Sequence, residues 1–254
     1  MKPNSSGKKV AVLISGRGSN LASLIDAAPS SDQDGSYKII QVISNVAGVA
    51  GLDRARAAGI ATAVIPHAGK TREAFDAEID AALRAADAEL VVLAGFMRIL
   101  SDGFVRGWEG KLINIHPSLL PDLRGPCPVF WALAEGRTTS GATVHRIEDA
   151  RIDAGSILRR AERPIDARKS VAEINTALFL AGAGELGEAL EDISSGRAVG
   201  PPAAGRYRGF PSGDEVAKAR RAGVRLCGLW YAIRLIAAAV LPSYRRSGSG
   251  RFRQ

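Results

Sequence analysis

The sequence VAVLISGRGSN at residues 10–20 joins an apolar run to a glycine-rich turn. Further apolar runs follow at residues 39–44, 61–65, 90–94 and 112–115. Amphipathic segments lie between them, at residues 21–28, 51–58, 71–86 and 101–108. Short apolar strands that alternate with helices are typical of a parallel sheet covered on both faces. We therefore predict an α/β fold of the Rossmann-like, doubly wound type.

The pattern changes after about residue 140. Two strand-like segments, residues 141–147 and 155–159, are separated by too few residues for a helical crossover. We therefore predict an antiparallel pair that extends the mostly parallel sheet. A helix over residues 171–193 is predicted to close the main domain.

The charges are distributed unevenly along the chain. We place the main domain at residues 1–195, a linker rich in proline, glycine and alanine at residues 196–205, and an extension at residues 206–254. The net charge is +8, and the extension holds 11 of the 34 basic residues but 2 of the 26 acidic ones. Residues 1–205 therefore carry a net charge of −1, which argues against a nucleic-acid partner.

The composition is that of a soluble globular protein, with 46% hydrophobic residues among 254 and two cysteines, Cys127 and Cys227. Two cysteines fit reduced thiols better than a disulfide scaffold, although a bond between them stays open. Residues 1–9 show no signal-peptide pattern, so we predict a cytoplasmic location. Cys127 lies between two prolines with no basic partner evident, and we interpret it as a loop thiol rather than a nucleophile.

An apolar stripe in the extension predicts a helix over residues 226–241, with arginines on both sides. This helix is shorter than the roughly 20 residues needed to span a bilayer. Two interpretations stay open. The helix lies in the plane of a membrane surface, or it packs against the main domain or against a second copy of the chain in a homodimer.

The turn Gly16-Arg17-Gly18-Ser19-Asn20 lies between the first predicted strand and the first helix. Glycine permits positive φ, and the N–H groups at the start of a helix point towards an anion bound there. The turn lacks the third glycine of a dinucleotide-binding loop and the Gly-Lys-Ser/Thr of a P-loop. It is therefore either a phosphate-binding loop for a small substrate or a tight turn in which Ser19 or Asn20 caps the helix.

Asn114 and His116 occupy the carboxyl end of a predicted strand, where open α/β sheets bind their ligands. The two-residue period of a strand turns both side chains to the same face. An amide beside an imidazole can stabilise an oxyanion, and a structural polar pair is the alternative. Asp153 would hold the tautomer of His116 and raise its pKa if the two meet; otherwise it is a turn aspartate before Gly155. Three histidines in the whole chain argue against a metal cluster.

Several segments, in this order, resemble the folate-dependent formyltransferases, and most closely the glycinamide ribonucleotide (GAR) formyltransferases. The matching segments are residues 12–21, 54–62, 72–76, 91–101 and 114–121. The resemblance covers residues 9–195 and is specific, because the segments recur with matching separations.

The resemblance implies roles for individual residues. A catalytic trio is implied for Asn114, His116 and Asp153, and binding of the substrate phosphate for Gly18, Ser19 and Asn20. A pocket for the pterin of 10-formyltetrahydrofolate is implied for Arg72, Met97, Arg98, Ile99 and Leu100. Local pattern alone would make residues 97–100 a packed strand exit. The resemblance adds that their backbone binds the pterin.

The implied reaction moves a formyl group from 10-formyltetrahydrofolate to the primary amine of a small phosphorylated acceptor, GAR, in purine biosynthesis. Three features depart from the GAR pattern. His145 and Asp153 are eight positions apart, one more than is usual, so Asp149 competes with Asp153. Residues 123–131 resemble the Arg-Gly-x-x-Pro of methionyl-tRNA and amino-sugar formyltransferases, and Gly182 aligns with an acidic residue that grips GAR. A nucleotide-linked or lipid-linked amino sugar is therefore the alternative acceptor, and hydrolysis by a 10-formyltetrahydrofolate deformylase is the alternative reaction.

Overall fold

The computed structural model describes residues 7–28, 37–149, 151–194 and 200–226. The strands are β1 (Lys8–Ile14), β2 (Tyr37–Ser44), β3 (Ala61–Val64), β4 (Leu90–Leu93), β5 (Leu112–His116), β6 (Thr139–Arg146) and β7 (Ile157–Pro164). The helices are α1 (Ser19–Ala27), α2 (Ala50–Ala57), α3 (Arg72–Ala85), α4 (Asp102–Gly107), α5 (Pro128–Ala134), α6 (Val171–Gly184), α7 (Leu186–Ser194) and α8 (Gly213–Arg221).

The seven strands form one sheet in the order β3-β2-β1-β4-β5-β6-β7. Strands β1 to β5 are parallel, β6 is antiparallel to β5, and β7 is antiparallel to β6. The strand order reverses between β1 and β4, which is where open α/β sheets bind ligands. The predicted α/β fold, with its mostly parallel sheet and antiparallel extension, is confirmed.

The central strand β1 is buried on both faces. On one face, Val10 and Val12 belong to the same apolar cluster as Leu21 of α1. On the other face, Leu13 belongs to the same cluster as Phe75 of α3. Burial on both sides explains why β1 reads as a continuous apolar run and not as an alternating one. The packed layers fix the ends of the strands, and with them the loops that carry the polar residues.

The predicted helix over residues 171–193 is two helices. α6 ends at Gly184 and α7 begins at Leu186, with Glu185 donating its N–H to the carbonyl of Gly182. Glycine is a poor helix former, and two glycines within three positions weaken the helix at this point. The prediction of a single helix is therefore wrong. Leu186, the first residue after the break, lies in the core and is 1% exposed.

Residues 200–226, which contain parts of the predicted linker and extension, pack against the main domain. Ala203 is 1% exposed, and Val216 of α8 belongs to the same apolar cluster as Phe130 of α5. The apolar pattern did not predict α8, whose start is fixed by a capping box between Ser212 and Glu215. The described part of the extension therefore packs against the main domain. The domain boundaries predicted at residues 195 and 205 stay predictions.

The apolar helix predicted over residues 226–241 lies outside the described residues, apart from Leu226, and so does Cys227. The membrane-surface interpretation, the homodimer interpretation and the cytoplasmic location stay predictions. Within the described ranges, no helix combines the length and the hydropathy needed to cross a bilayer.

Candidate active site

The carboxyl end of β5 carries the polar side chains that the sequence pattern singles out. Asn114 and His116 lie two residues apart on this strand, and in the antiparallel register they pair with His145 and Thr143 of β6. The turn that joins β6 to β7 begins beside the start of β5, where the N–H of Ile147 donates to the carbonyl of Leu112, and it brings Asp153 back to Asn114 and His116. Three segments distant in sequence therefore meet at one edge of the sheet.

Asn114, His116 and Asp153 form one polar cluster. Nδ2 of Asn114 lies 3.1 Å from Oδ1 of Asp153, and Nδ1 of His116 lies 3.3 Å from Oδ2 of the same carboxylate. The side chains of His116 and Asp153 are 7% and 8% exposed. One shielded carboxylate therefore orients the amide with one oxygen and the imidazole with the other.

Asp149, which competes with Asp153 on spacing, lies outside this cluster. Its carboxylate pairs with the guanidinium of Arg151 at 2.7 Å, and its side chain is 42% exposed. This pairing holds the pKa of Asp149 below its ordinary value. The structure brings Asp153, and not Asp149, to Asn114 and His116.

The loop after β5 completes the surroundings of the cluster. Nε2 of His116 lies 3.0 Å from the carbonyl oxygen of Leu123, and the N–H of Gly125 donates to Oδ2 of Asp153 at 3.0 Å. Leu123 and Asp153 both adopt left-handed backbone, with φ of 54° and 50°. Such strain costs roughly 1–3 kcal/mol per residue and is concentrated at functional sites. Neither backbone contact can be read from the sequence pattern.

The direction of the pKa shift of His116 differs from the predicted one. Burial lowers the pKa of His116 below its ordinary value of 6.5, while Asp153 and the Leu123 carbonyl raise it by less. The nearby His145 and Arg124 lower it further. The predicted influence of Asp153 has the expected sign, but the prediction of a raised pKa is wrong, because burial is the larger effect.

The pKa of Asp153 lies below its ordinary value. Burial alone would raise its pKa, but the charge of His116, the contacts with His145 and the N–H of Gly125 together hold the pKa well below the ordinary 3.8. Both ring nitrogens of His116 face oxygen acceptors. The hydrogen-bonding geometry therefore suits a doubly protonated ring, whereas burial opposes its charge.

His145 is a member of the cluster to which the sequence analysis gave no role. Its Nε2 lies 3.1 Å from Nδ2 of Asn114 and 3.5 Å from Oδ1 of Asp153, and its Nδ1 lies 2.9 Å from the carbonyl oxygen of Arg146. Because a carbonyl oxygen only accepts, we assign the proton to Nδ1, which leaves Nε2 to accept from Asn114. The sequence could have indicated this contact, because an antiparallel pairing of the two predicted strands places His145 opposite Asn114.

The glycine-rich turn lies between the end of β1 and α1. Gly18 occupies the N-cap position of α1 with φ +73°, and no side chain caps the helix. The interpretation in which Ser19 or Asn20 acts as the cap is therefore wrong. The turn is also crowded by α2, since a Cβ on Gly18 would lie 2.5 Å from Cα of Gly51. Helix N–H groups without a side-chain cap are suited to an anion.

Residues 97–100 leave the carboxyl end of β4 beside that turn. Met97 is 48% exposed and donates its N–H to Oγ of Ser15 at 2.8 Å, while Leu100 is 4% exposed. The N–H and C=O groups of residues 98–100 form no hydrogen bond with another residue that the structure describes. They are therefore available to a planar ligand with its own donors and acceptors, as the predicted pterin contact requires.

Two arginines accompany this segment. The guanidinium of Arg98 lies 5.7 Å from the ring centre of Phe75. Burial and the positive charge of Arg72 lower the pKa of Arg98, and Asp76 opposes them. The structure thus brings Arg72, Met97, Arg98, Ile99 and Leu100 into one region.

Cys127 is poorly suited to nucleophilic chemistry, because burial raises the pKa of its thiol to about 12. Over the residues that the structure describes, there is no group of three or more His, Cys, Asp or Glu side chains that could hold a metal ion.

Comparison with known proteins identifies the family. The family described as formyl transferase matches residues 8–186. The trifunctional purine biosynthetic protein adenosine-3 of Drosophila pseudoobscura pseudoobscura is 52% identical over 159 residues, which is 62% of this chain and 12% of that protein. This chain spans only 12–18% of the length of the trifunctional proteins that it matches. The phosphoribosylglycinamide formyltransferase of Escherichia coli K12 is 43% identical over 166 residues, which is 65% of this chain and 77% of that protein.

The fold leads to the same family. Glycinamide ribonucleotide transformylase 1 from Symbiobacterium toebii superimposes with a TM-score of 0.68 at 32% identity, over 75% of this chain and 89% of that one. The region matched by the family contains the polar cluster, the glycine-rich turn and residues 97–100. The chain therefore belongs to the formyl transferase family.

Proposed function

We propose that this chain transfers the formyl group of 10-formyltetrahydrofolate to the primary amine of glycinamide ribonucleotide, a step of purine biosynthesis. The observation that carries the proposal is the buried cluster of Asn114, His116 and Asp153 at the carboxyl edge of the sheet. The relatives from Escherichia coli and Symbiobacterium toebii are named for this activity. The use of 10-formyltetrahydrofolate follows from the family.

The cluster has the donors that direct acyl transfer needs. The neutral amine adds to the formyl carbon, whose oxygen gains negative charge, and Asn114 and His116 donate hydrogen bonds to that oxygen. Asn114 donates the amide hydrogen that now faces His145, and the Nε2 proton of His116 is shared between the Leu123 carbonyl and the developing oxyanion, so both side chains keep their contacts with Asp153. The carbon–nitrogen bond of the donor then breaks, and the proton lost by the amine ends on the departing nitrogen, relayed through Asp153 and water.

The depressed pKa of His116 fits this role. While the formyl group is neutral, burial disfavours a charged ring. Negative charge that develops beside the ring offsets the burial, and the ionised Asp153 supports the proton from the other side. The interaction is therefore stronger in the transition state than in the ground state, which is the condition for raising kcat.

The two substrates have separate supporting surfaces. Residues 98–100 offer unpaired backbone groups for the pterin, with Arg72 and Arg98 beside them. The turn at Gly18, Ser19 and Asn20 presents the N-terminus of α1, which suits the phosphate of the acceptor. The reacting amine and the formyl carbon would then meet at the cluster between these surfaces.

Transfer to a nucleotide-linked amino sugar is the second candidate, and the surroundings of Gly182 favour it. In the resemblance to GAR enzymes, this position aligns with an acidic residue that grips the acceptor. Here a Cβ on Gly182 would lie 2.6 Å from Cγ2 of Ile115 and 2.8 Å from Cβ of Ala142, so no larger side chain fits. The acceptor is therefore held by other groups than in the GAR pattern.

The decisive experiment supplies the purified chain with 10-formyltetrahydrofolate and, in separate reactions, GAR, a nucleotide-linked amino sugar or no acceptor. We expect tetrahydrofolate release and a formylated product with GAR. Asn114→Ala should reduce the rate by about 100-fold or more, as is typical for the loss of one oxyanion donor.

Each other outcome has a clear meaning. Formylation of the sugar alone would favour the second candidate. Formate release without an acceptor would show a deformylase. A folded Asn114→Ala variant with near-normal turnover would contradict the role given to the cluster.

A further inference from the structure

Residues 200–210, here called the C-terminal strap, lie beyond residues 8–186 that match the family. They nevertheless contact both segments that surround the polar cluster. These segments are the loop at residues 118–127, which follows β5, and the turn at residues 151–156, which precedes β7.

The first half of the strap pairs with the start of β7. The N–H of Gly200 donates to the carbonyl of Ile157 at 2.9 Å, and the N–H of Ala203 donates to the carbonyl of Gly155 at 3.2 Å. Ala203 is buried in a small apolar cluster with Leu120 and Ile157. The strap therefore anchors the end of the turn at residues 151–156, which carries Asp153.

The second half of the strap runs beside the loop. Arg124 and Tyr207 form a parallel β-bridge, and the N–H of Arg208 donates to the carbonyl of Arg124 at 2.8 Å. The guanidinium of Arg208 lies 4.8 Å from the ring centre of Trp131 and pairs with the carboxylate of Glu135. These last contacts fasten the strap to α5 and to its C-cap residue.

The side chain of Arg124 joins all three segments. Its Nη1 donates to the carbonyl of Gly205 in the strap at 2.7 Å. Its Nη2 and Nε donate to the carbonyl of Ile152 in the turn, at 2.8 Å and 3.2 Å. A planar guanidinium with several fixed donors can hold two carbonyls at once, which a lysine cannot do in the same geometry.

The neighbours of Arg124 are the residues that contact the cluster. Leu123 places its carbonyl on His116, and Gly125 places its N–H on Asp153. We propose that Arg124 is a positioning residue for formyl transfer, fixed by the C-terminal strap so that both backbone contacts are kept. The effect on rate rests on the proposed function, whereas the effect on the surroundings of His116 does not.

Three variants and a control test the proposal in the full chain. Arg124→Ala removes the hydrogen bonds from the guanidinium to the strap and to the turn. Arg124→Lys keeps the positive charge but lacks the planar set of donors that holds both carbonyls. Arg208→Ala loosens the strap at α5 while leaving the Arg124 charge in place. Arg163→Ala is the control, because Arg163 is exposed on β7 and its guanidinium donates to the backbone carbonyl of Glu162, away from the cluster.

Two measurements are made on each variant: kcat for tetrahydrofolate release, and the titration midpoint of His116 by NMR. The titratable and charged groups that face His116 are Asp153, His145 and Arg124. We expect kcat to fall roughly 10- to 100-fold in Arg124→Ala and less in Arg124→Lys and Arg208→Ala, since displacements of about 1 Å can cost about 100-fold. The His116 midpoint should rise towards that of an exposed histidine as burial is relieved, and the Arg163→Ala control should match the unmodified chain.

The outcomes separate this inference from the proposed function. A rise of the midpoint in Arg208→Ala, where the Arg124 charge is kept, supports positioning whether or not GAR is the acceptor. Wild-type kcat and an unchanged midpoint in folded Arg124→Ala would overturn the proposal. If Arg124→Ala does not fold, the same two results in Arg208→Ala overturn it. Absence of formyl transfer in the unmodified chain would count against the proposed function alone.

Discussion

Replacing Asp153 by Asn is expected to lower kcat by about 100- to 1,000-fold in a folded chain, a loss of about 3–4 kcal/mol of transition-state stabilisation. The substitution keeps the size of the side chain and one oxygen for the N–H of Gly125. It removes the negative charge that lies 3.3 Å from Nδ1 of His116. The other oxygen becomes an amide nitrogen that cannot accept from Nδ2 of Asn114, so the variant removes the charge and this one hydrogen bond while keeping the packing.

The magnitude follows from that distance and from the burial. At an effective dielectric constant of about 20, two unit charges so placed attract by about 5 kcal/mol, an upper limit for the pair. Removing one partner of a buried charge pair costs about 2–5 kcal/mol in practice. The charge of His116 is needed when the oxyanion forms, so the loss should fall on kcat and not on KM for the donor.

Asp149→Asn is the matched control. Asp149 has the same side chain and lies close to Asp153 in sequence, but it is half-exposed and pairs with Arg151. We expect kcat within about 3-fold of the unmodified chain, because an exposed ion pair contributes little. Steady-state tetrahydrofolate release at neutral pH gives kcat, and urea unfolding shows whether each variant is folded. Near-normal kcat in Asp153→Asn, or a larger loss in Asp149→Asn, would refute the reasoning.

Three further predictions follow from the site. Burial lowers the pKa of His116 in the folded chain, so as the pH falls the imidazole takes up a proton in the unfolded chain first. Below about pH 6.5 the free energy of unfolding should therefore fall by up to about 1.4 kcal/mol per pH unit. Urea titrations across that range test this, and His116→Asn should remove that part of the slope. Gly18→Ala should destabilise the chain by roughly 1–3 kcal/mol, because φ at this position is +73° and Gly51 leaves no room for a Cβ atom. The substitution should also raise KM for the acceptor more than KM for the donor. Urea unfolding measures the first effect, and kinetics with each substrate varied in turn measure the second. Cys127→Ala should keep its kcat, because the thiol has a pKa of about 12, and a folded but inactive variant would contradict this.

Most of the fold could be predicted because buried strands leave a simple trace in the sequence. Strands β1, β4 and β5 are apolar runs that are buried over most of their length, and the short connection between the last two predicted strands excluded a helical crossover. The break between α6 and α7 was missed because the apolar pattern continues through Gly182 and Gly184. Helix α8 was missed because it buries only a narrow stripe, Val216 and Ala219.

The site could be predicted only in part. The shared face of Asn114 and His116 follows from strand periodicity, whereas the choice of Asp153 depended on the family resemblance. The left-handed conformation of Leu123, which aims its carbonyl at His116, has no signal in a leucine. The lowered pKa of His116 could not be foreseen either, because burial arises from the whole packed loop and not from the Asp153 pair.

A single-turnover reaction with a donor carrying an isotopic label in its formyl group shows whether the formyl group passes directly from donor to acceptor. Excess enzyme, labelled 10-formyltetrahydrofolate and GAR are mixed, and the position of the label is determined after one turnover. We expect the label to appear in the new amide of the acceptor, and His116→Ala to slow its arrival by about 100-fold or more. Label released as free formate at the same rate with and without GAR would contradict the account.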